Sequence, residues 1–211
     1  MPNYRKRTCP TCVSLWVDDA IAASSVELTD SERRQLIAAL LARRHLLLTG
    51  PVGIGKRLLA RALASAVTGG EPDRVRVVSG HPWWAAQTGD VTRFVNAQTT
   101  YSLWRLEDFV SDVATSAAQA FQIPMSVKKT FVAVIEKMSR AETDAYFGPF
   151  IKERTSSFTP GQAAGQLRIF GTFDAEESPH LPGDIERAVA TIHLKRTSVT
   201  PGQADQDITD R

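Results

Sequence analysis

The chain has 211 residues, 43% of them hydrophobic, a formal net charge of +2 and only two cysteines. That composition provides for one substantial core, and the near-neutral balance argues neither for a strongly basic nucleic-acid binder nor for an acidic tail protein. The longest apolar stretches, residues 36–48 and 130–135, are too short or too charged to span a bilayer, and the N-terminus has no apolar signal core, so no membrane partner and a cytoplasmic location are expected.

Residues 1 to about 25 carry few helix signals, and residues 1–28 are expected to form an arm ahead of the domain. In that arm Cys9 and Cys12 make the run Cys-Pro-Thr-Cys. The spacing supplies half of a tetrahedral zinc site, but none of His45, His81, His180 and His193 forms a second pair at zinc-binding spacing. Free thiols on a mobile arm are the expectation, with zinc closed in this chain or shared with a partner as alternatives. The pair does not follow a strand and open a helix, which argues against thioredoxin-like redox chemistry. Thr29-Asp30-Ser31-Glu32 then reads as a capping box for a helix to about residue 43, with Leu36, Ile37, Leu40 and Leu41 on one face. Residues 45–49 form a short apolar strand that runs into Gly50-Pro51-Val52-Gly53-Ile54-Gly55-Lys56-Arg57.

Beyond this loop, residues 58–67 make a helix rich in Ala and Leu, stopped by Gly69-Gly70. Strands are predicted at 75–79, 130–135, 167–172 and 191–194, and helices at 106–121, 141–153 and 184–190. Residues 29–196 thus form the domain, and residues 197–211, polar and poor in apolar anchors, a disordered tail. The arginine clusters Arg5-Lys6-Arg7 and Arg43-Arg44 are read as solvated surface. The aromatics Trp83, Trp84, Phe94, Tyr101 and Trp104 are assigned to core or interface packing, with base stacking as the alternative. Strand, glycine loop, helix and further strand–helix pairs specify an α/β fold: a parallel five-stranded sheet flanked by helices.

Gly50 to Lys56 matches the phosphate loop GxxxxGK. Its glycines let backbone N–H groups face phosphate oxygens, the next helix directs its positive end at them, and Lys56 brings a mobile charge to the outer phosphates. The eighth position should offer a hydroxyl to magnesium, and Arg57 cannot. Where the strand at 130–135 ends, an acidic pair is expected to hold the magnesium shell and polarise water. Glu136 keeps the first carboxylate, but Lys137 stands at the second and is no general base unless burial lowers its pKa far. Lys137 paired with Glu136 or Asp174 would leave the site self-neutralised and empty.

The run from Val134 through Glu136, Lys137, Met138, Ser139 and Arg140 to Ala141, continuing to Phe147-Gly148 and Ile151, resembles the IDEINRA…FGELL segment of McrB-type AAA+ NTPases, motor subunits of modification-dependent restriction systems. Leu167 to Asp174 resembles that family's NLYIIGTMN strand, with Asp174 at the place of its phosphate-sensing Asn. Asp184 to Ala188 parallels the LDxAL stretch ahead of the family's arginines, where this chain has Ala190-Thr191-Ile192, and His81-Pro82 matches a family HP. The resemblance covers roughly residues 30–195. It implies an AAA+-like P-loop fold with the helical lid reduced or absent, ATP or GTP as ligand, and homo- or hetero-oligomers with other AAA+ or effector subunits. DNA is a further partner it implies. The catalytic positions fall on Glu136, Lys137 and Asp174, and magnesium is left in question by Arg57.

The departures at Arg57, Lys137, Asp174 and the missing arginine finger all weaken phosphoryl transfer, which depends on positioned charges. The expected function is therefore a catalytically impaired AAA+-like subunit acting through a partner or oligomer, in DNA processing or defence. An active ATP- or GTP-hydrolysing motor, its gaps filled by a neighbouring subunit, is one alternative. A nucleic-acid-binding adaptor that keeps only the fold is the other.

Overall fold

Five short apolar runs pair side by side: β1 (His45–Thr49), β2 (Val75–Ser79), β3 (Phe131–Glu136), β4 (Leu167–Thr172) and β5 (Val189–His193). Every pairing is parallel, in the order β2-β3-β4-β1-β5. The computed structural model describes residues 9–79, 129–138, 167–173 and 183–195, together with 109, 112, 113, 115 and 116. Around the sheet lie α1 (Pro10–Ser24), α2 (Asp30–Ala42), α3 (Lys56–Thr68) and α4 (Gly183–Ala188). All residues of β1 and β3 are buried. Such continuous apolar strands, rather than alternating ones, are what a sheet covered on both faces requires.

Side-chain alternation divides the interior into two layers. Leu46 and Leu48 of β1 and Val132 and Val134 of β3 join Val13, Val17, Leu36, Leu59 and Leu63 on the α1–α2–α3 side. Leu47, Phe131, Ala133 and Ile135 point the other way, toward Phe109, Val113 and Ile185. The chain is thus an α/β protein with a five-stranded, all-parallel sheet flanked by helices, as the strand and helix alternation specified.

Strands β1, β2 and β4 fall on their sequence-based limits, and the Thr29 capping box is present, with the Glu32 amide donating to Thr29 Oγ1 and the Thr29 amide to Glu32 Oε2. Several boundaries differ. Strand β3 extends to Glu136, α3 begins two residues earlier, at Lys56, and β5 takes over Val189 and Ala190 from the expected last helix. In α2, Leu36, Ala39 and Leu40 are buried, whereas Leu41 is 39% exposed and falls off the predicted face.

The largest difference is at the N-terminus. Instead of an arm poor in helix, residues 10–24 form α1, whose Val13, Val17 and Ala20 are buried in the core. Arg33 of α2 clasps Asp18 with two hydrogen bonds of 2.7 and 2.8 Å. Cys9 is the N-cap of α1 and Pro10 lies in its first turn, so the cysteine pair does open a helix, contrary to expectation. Both thiols are free and exposed.

Of the helix expected at 106–121, residues 109, 112, 113, 115 and 116 are helical. The helix expected at 141–153, the tail at 197–211 and the aromatics Trp83, Trp84, Phe94, Tyr101 and Trp104 lie outside the described residues, as do Arg5-Lys6-Arg7, His81, His180 and the region of a lid after residue 195. Among the described residues no helix is long and apolar enough to cross a membrane.

Candidate phosphate-loop site

Because the strands are parallel, their C-terminal ends meet at one edge of the sheet, where loops can converge on a ligand. At that edge β1 leads into residues 50–55 and α3 begins at Lys56. Gly50 has φ +135°, and a β-carbon there would collide with the Leu194 carbonyl oxygen, so the chain after β5 crosses directly over the loop. Gly55, with φ +85°, is the left-handed N-cap of α3, and a β-carbon there would strike Val26. Both positions need glycine for conformation and for space. The first turn of α3 has no side-chain cap and no acidic residue. The helix therefore directs its positive end at the loop without a carboxylate of its own first turn beside it.

Lys56 is not extended toward solvent. It is 3% exposed, and its Nζ donates to the carbonyl oxygens of Gly50 at 2.8 Å and Pro51 at 2.5 Å. The lysine is folded across its own loop, while Val52, Gly53 and Arg57 are exposed around it. Pro51 and Ile54 are half-buried.

Glu136, the last residue of β3, is 5% exposed, and its Oε1 accepts from Arg61 Nε at 2.6 Å. The alternative in which Lys137 pairs with Glu136 is not what is found: Arg61 is the partner of Glu136. Lys137 takes the left-handed conformation, φ +57°, with its amide donating to Thr172 Oγ1 at 3.1 Å and its side chain exposed. That backbone is uncommon away from glycine and turns the lysine out of the site. Asp174 lies outside the described residues. Sequence reading passed over Arg61, although Arg57 and Arg61 are one helical turn apart and so share a face of α3.

These residues do not suit a magnesium ion. Position 57 offers no hydroxyl, the Glu136 carboxylate is engaged by a guanidinium, and Thr172 Oγ1 already accepts from the Lys137 amide. Among the described residues no group of three or more His, Cys, Asp or Glu side chains could hold a metal.

Beside the loop is an open cleft of about 390 Å³, bounded by the α1–α2 connection on one side and the start of α3 on the other. Val26, Leu28, Ile54, Leu58 and Leu194 give it apolar walls. Its frame is fixed by polar ties. Glu32 Oε1 accepts the Lys195 amide at 2.8 Å, and the Leu194 amide donates to the Thr49 carbonyl at 2.9 Å. Burial pushes the Glu32 carboxyl up, but the Lys195 and Thr29 amides outweigh it and hold the pKa below the usual value. Thr49 Oγ1 and His193 Nδ1 are 3.1 Å apart at the same edge. The sequence reading missed this cleft, because its walls come from segments more than a hundred residues apart.

No family model and no curated protein matches the chain. Among solved structures it is similar to a chain in the HORMA:CdnC:Trip13 complex of E. coli MS115-1, at 15% identity and a TM-score of 0.37 over 88% of its own length. It spans 56% of that chain.

Proposed function

We propose that this protein is a catalytically impaired AAA+-like subunit that binds a nucleoside triphosphate, ATP or GTP, and works by assembling with a partner or further copies rather than by turnover. The observation that carries this reading is the Arg61–Glu136 pair at the end of β3, on the sheet edge that also bears a loop with its glycines and Lys56 kept but Arg57 at the hydroxyl position. A carboxylate committed to a guanidinium cannot organise a metal shell, and no carboxylate follows it at position 137 to polarise water. The loop glycines, the uncapped amides of α3 and the adjoining apolar cleft are what phosphate and base binding would use. DNA processing or defence is the setting that the resemblance to McrB-type proteins implies.

The test pairs binding with turnover. Calorimetric titration should detect ATP or GTP, and Lys56→Ala should abolish the signal. Phosphate release under multiple-turnover conditions should stay at the level of the Lys56→Ala protein. Sustained release that depends on Lys56 would establish an active motor, and no binding of either nucleotide at millimolar concentration would end the nucleotide reading.

A further inference from the structure

The mismatch between this site and magnesium has a consequence for the form of the ligand. We propose that the loop takes the nucleoside polyphosphate as the free anion, not as its magnesium complex, with arginines of α3 supplying the charge that the metal would bring. This inference rests on the nucleotide reading and makes it more specific.

The argument begins with charge. Lys56, Arg57 and Arg61 belong to the first two turns of α3, and the helix directs its positive end at the loop. Of these three cations Arg61 binds a carboxylate, that of Glu136, at 2.6 Å. Arg57 is exposed and lies one helical turn nearer the loop on the same face of α3. An arginine there offers planar, bidentate hydrogen bonding to phosphate oxygens. A magnesium-bound polyphosphate would present a cation to these same groups. The metal would have to displace Arg61 from a buried carboxylate and sit against Arg57, and both steps are electrostatically uphill.

The geometry of Lys56 gives the binding step a starting state. Its ammonium is held by the Gly50 and Pro51 carbonyl oxygens, so an incoming phosphate must exchange with those two acceptors. A free polyphosphate, more negative than its magnesium complex, makes that exchange more favourable. The neighbouring cleft of about 390 Å³, with its apolar walls at Val26, Leu28 and Ile54, distinguishes a nucleotide from bare polyphosphate, because only the nucleotide has a base to place there.

Titration of the full chain with ATP, GTP and inorganic tripolyphosphate, each in EDTA and in excess magnesium, tests the proposal. The expected result is nucleotide binding roughly tenfold tighter in EDTA than in magnesium, with tripolyphosphate weaker than the better nucleotide, and equal affinity in the two conditions would overturn the inference. Arg57→Thr, an exposed change that removes a cation and supplies a hydroxyl, should reduce binding in EDTA and narrow the difference between EDTA and magnesium. Circular dichroism of that variant confirms that it is folded. Wild-type binding that requires magnesium would overturn the inference and leave the nucleotide reading standing. Tripolyphosphate binding as tight as both nucleotides would overturn the nucleoside part. Absence of binding in either condition would sink the inference and the nucleotide reading together.

Discussion

Arg61 and Glu136 are 75 residues apart in sequence and 2.6 Å apart in space. Glu136 is buried, whereas the arginine side chain is 54% exposed, so solvent screens the pair from one side only. Truncating the arginine strands a carboxylate in the interior, whereas replacing the carboxylate by an amide keeps an acceptor for the guanidinium. Arg61→Ala should therefore destabilise the fold by about 2 kcal/mol, a value below that of a fully buried pair because of the exposure. Glu136→Gln should cost less, and the double variant Arg61→Ala with Glu136→Gln less than the sum of the two. Urea denaturation of the four proteins measures the coupling. Additive losses would mean that the contact contributes nothing to stability. No local pattern could have picked Arg61 from the arginines of the chain, since its role depends on which strand end α3 lies beside. The turn from Gly50 to Lys56 was legible because its glycine spacing lies within one loop, where Gly50, Gly53 and Gly55 take positive φ.

Among the elements, α1 best separates what apolar pattern and ion pairing each contribute. Its buried residues are Val13, Val17, Ala20 and Ser24, a helical stripe of small side chains. The Asp18–Arg33 clasp has good geometry, but its side chains are 44% and 35% exposed. Burial should win. Val17→Ala is expected to cost roughly 2 kcal/mol, because it opens a cavity between α1 and the core. Asp18→Ala should cost about 0.5 kcal/mol, the ordinary worth of a solvent-screened pair. Chemical denaturation of each variant checks the order, and a larger loss from Asp18→Ala would show that the clasp rather than the apolar stripe holds α1. The same contrast explains legibility. Strands β1, β2 and β4 stood out because each is a compact apolar run closed by turn residues or glycine. Helix α1 did not, since small residues with Asp, Ser and Cys between them give weak periodicity, and an N-cap thiol makes no side-chain capping bond. The cleft was hidden for a related reason: its wall depends on α1 and α2 packing where they do.

Over the whole molecule, the parallel sheet separates the edge of the proposed binding site from the opposite edge. The phosphate loop and Glu136 lie at the C-terminal ends of β1 and β3, and His45 begins β1 at the opposite end. His45 is 4% exposed, and its Nδ1 accepts the Ile169 amide at 3.1 Å, which requires the neutral ring. Burial first, then the positive charges of Arg44 and Arg168, push its pKa from 6.5 down to about 3. The folded state thus binds its proton later than the unfolded chain does. The contribution is complete above pH 6.5 and is lost as pH falls from 6.5 toward about 3. The loss approaches about 1.4 kcal/mol per pH unit, or about 2 kcal/mol by pH 5. Above pH 5 the carboxyls of Asp18 and Glu32, held below their ordinary values of 3.8 and 4.5, are mostly ionised in the unfolded chain as well and add little to the slope, whereas below pH 5 their own contributions are lost too. His45→Asn places an amide oxygen near the Nδ1 position and removes the titration. Urea denaturation from pH 8 to 5 should give a declining stability for the natural chain and a nearly flat one for His45→Asn. An equal slope in both proteins would assign the acid sensitivity elsewhere. Because His45 is at the far edge of the sheet, the substitution should leave nucleotide affinity at pH 8 unchanged, separating loss of fold from loss of site.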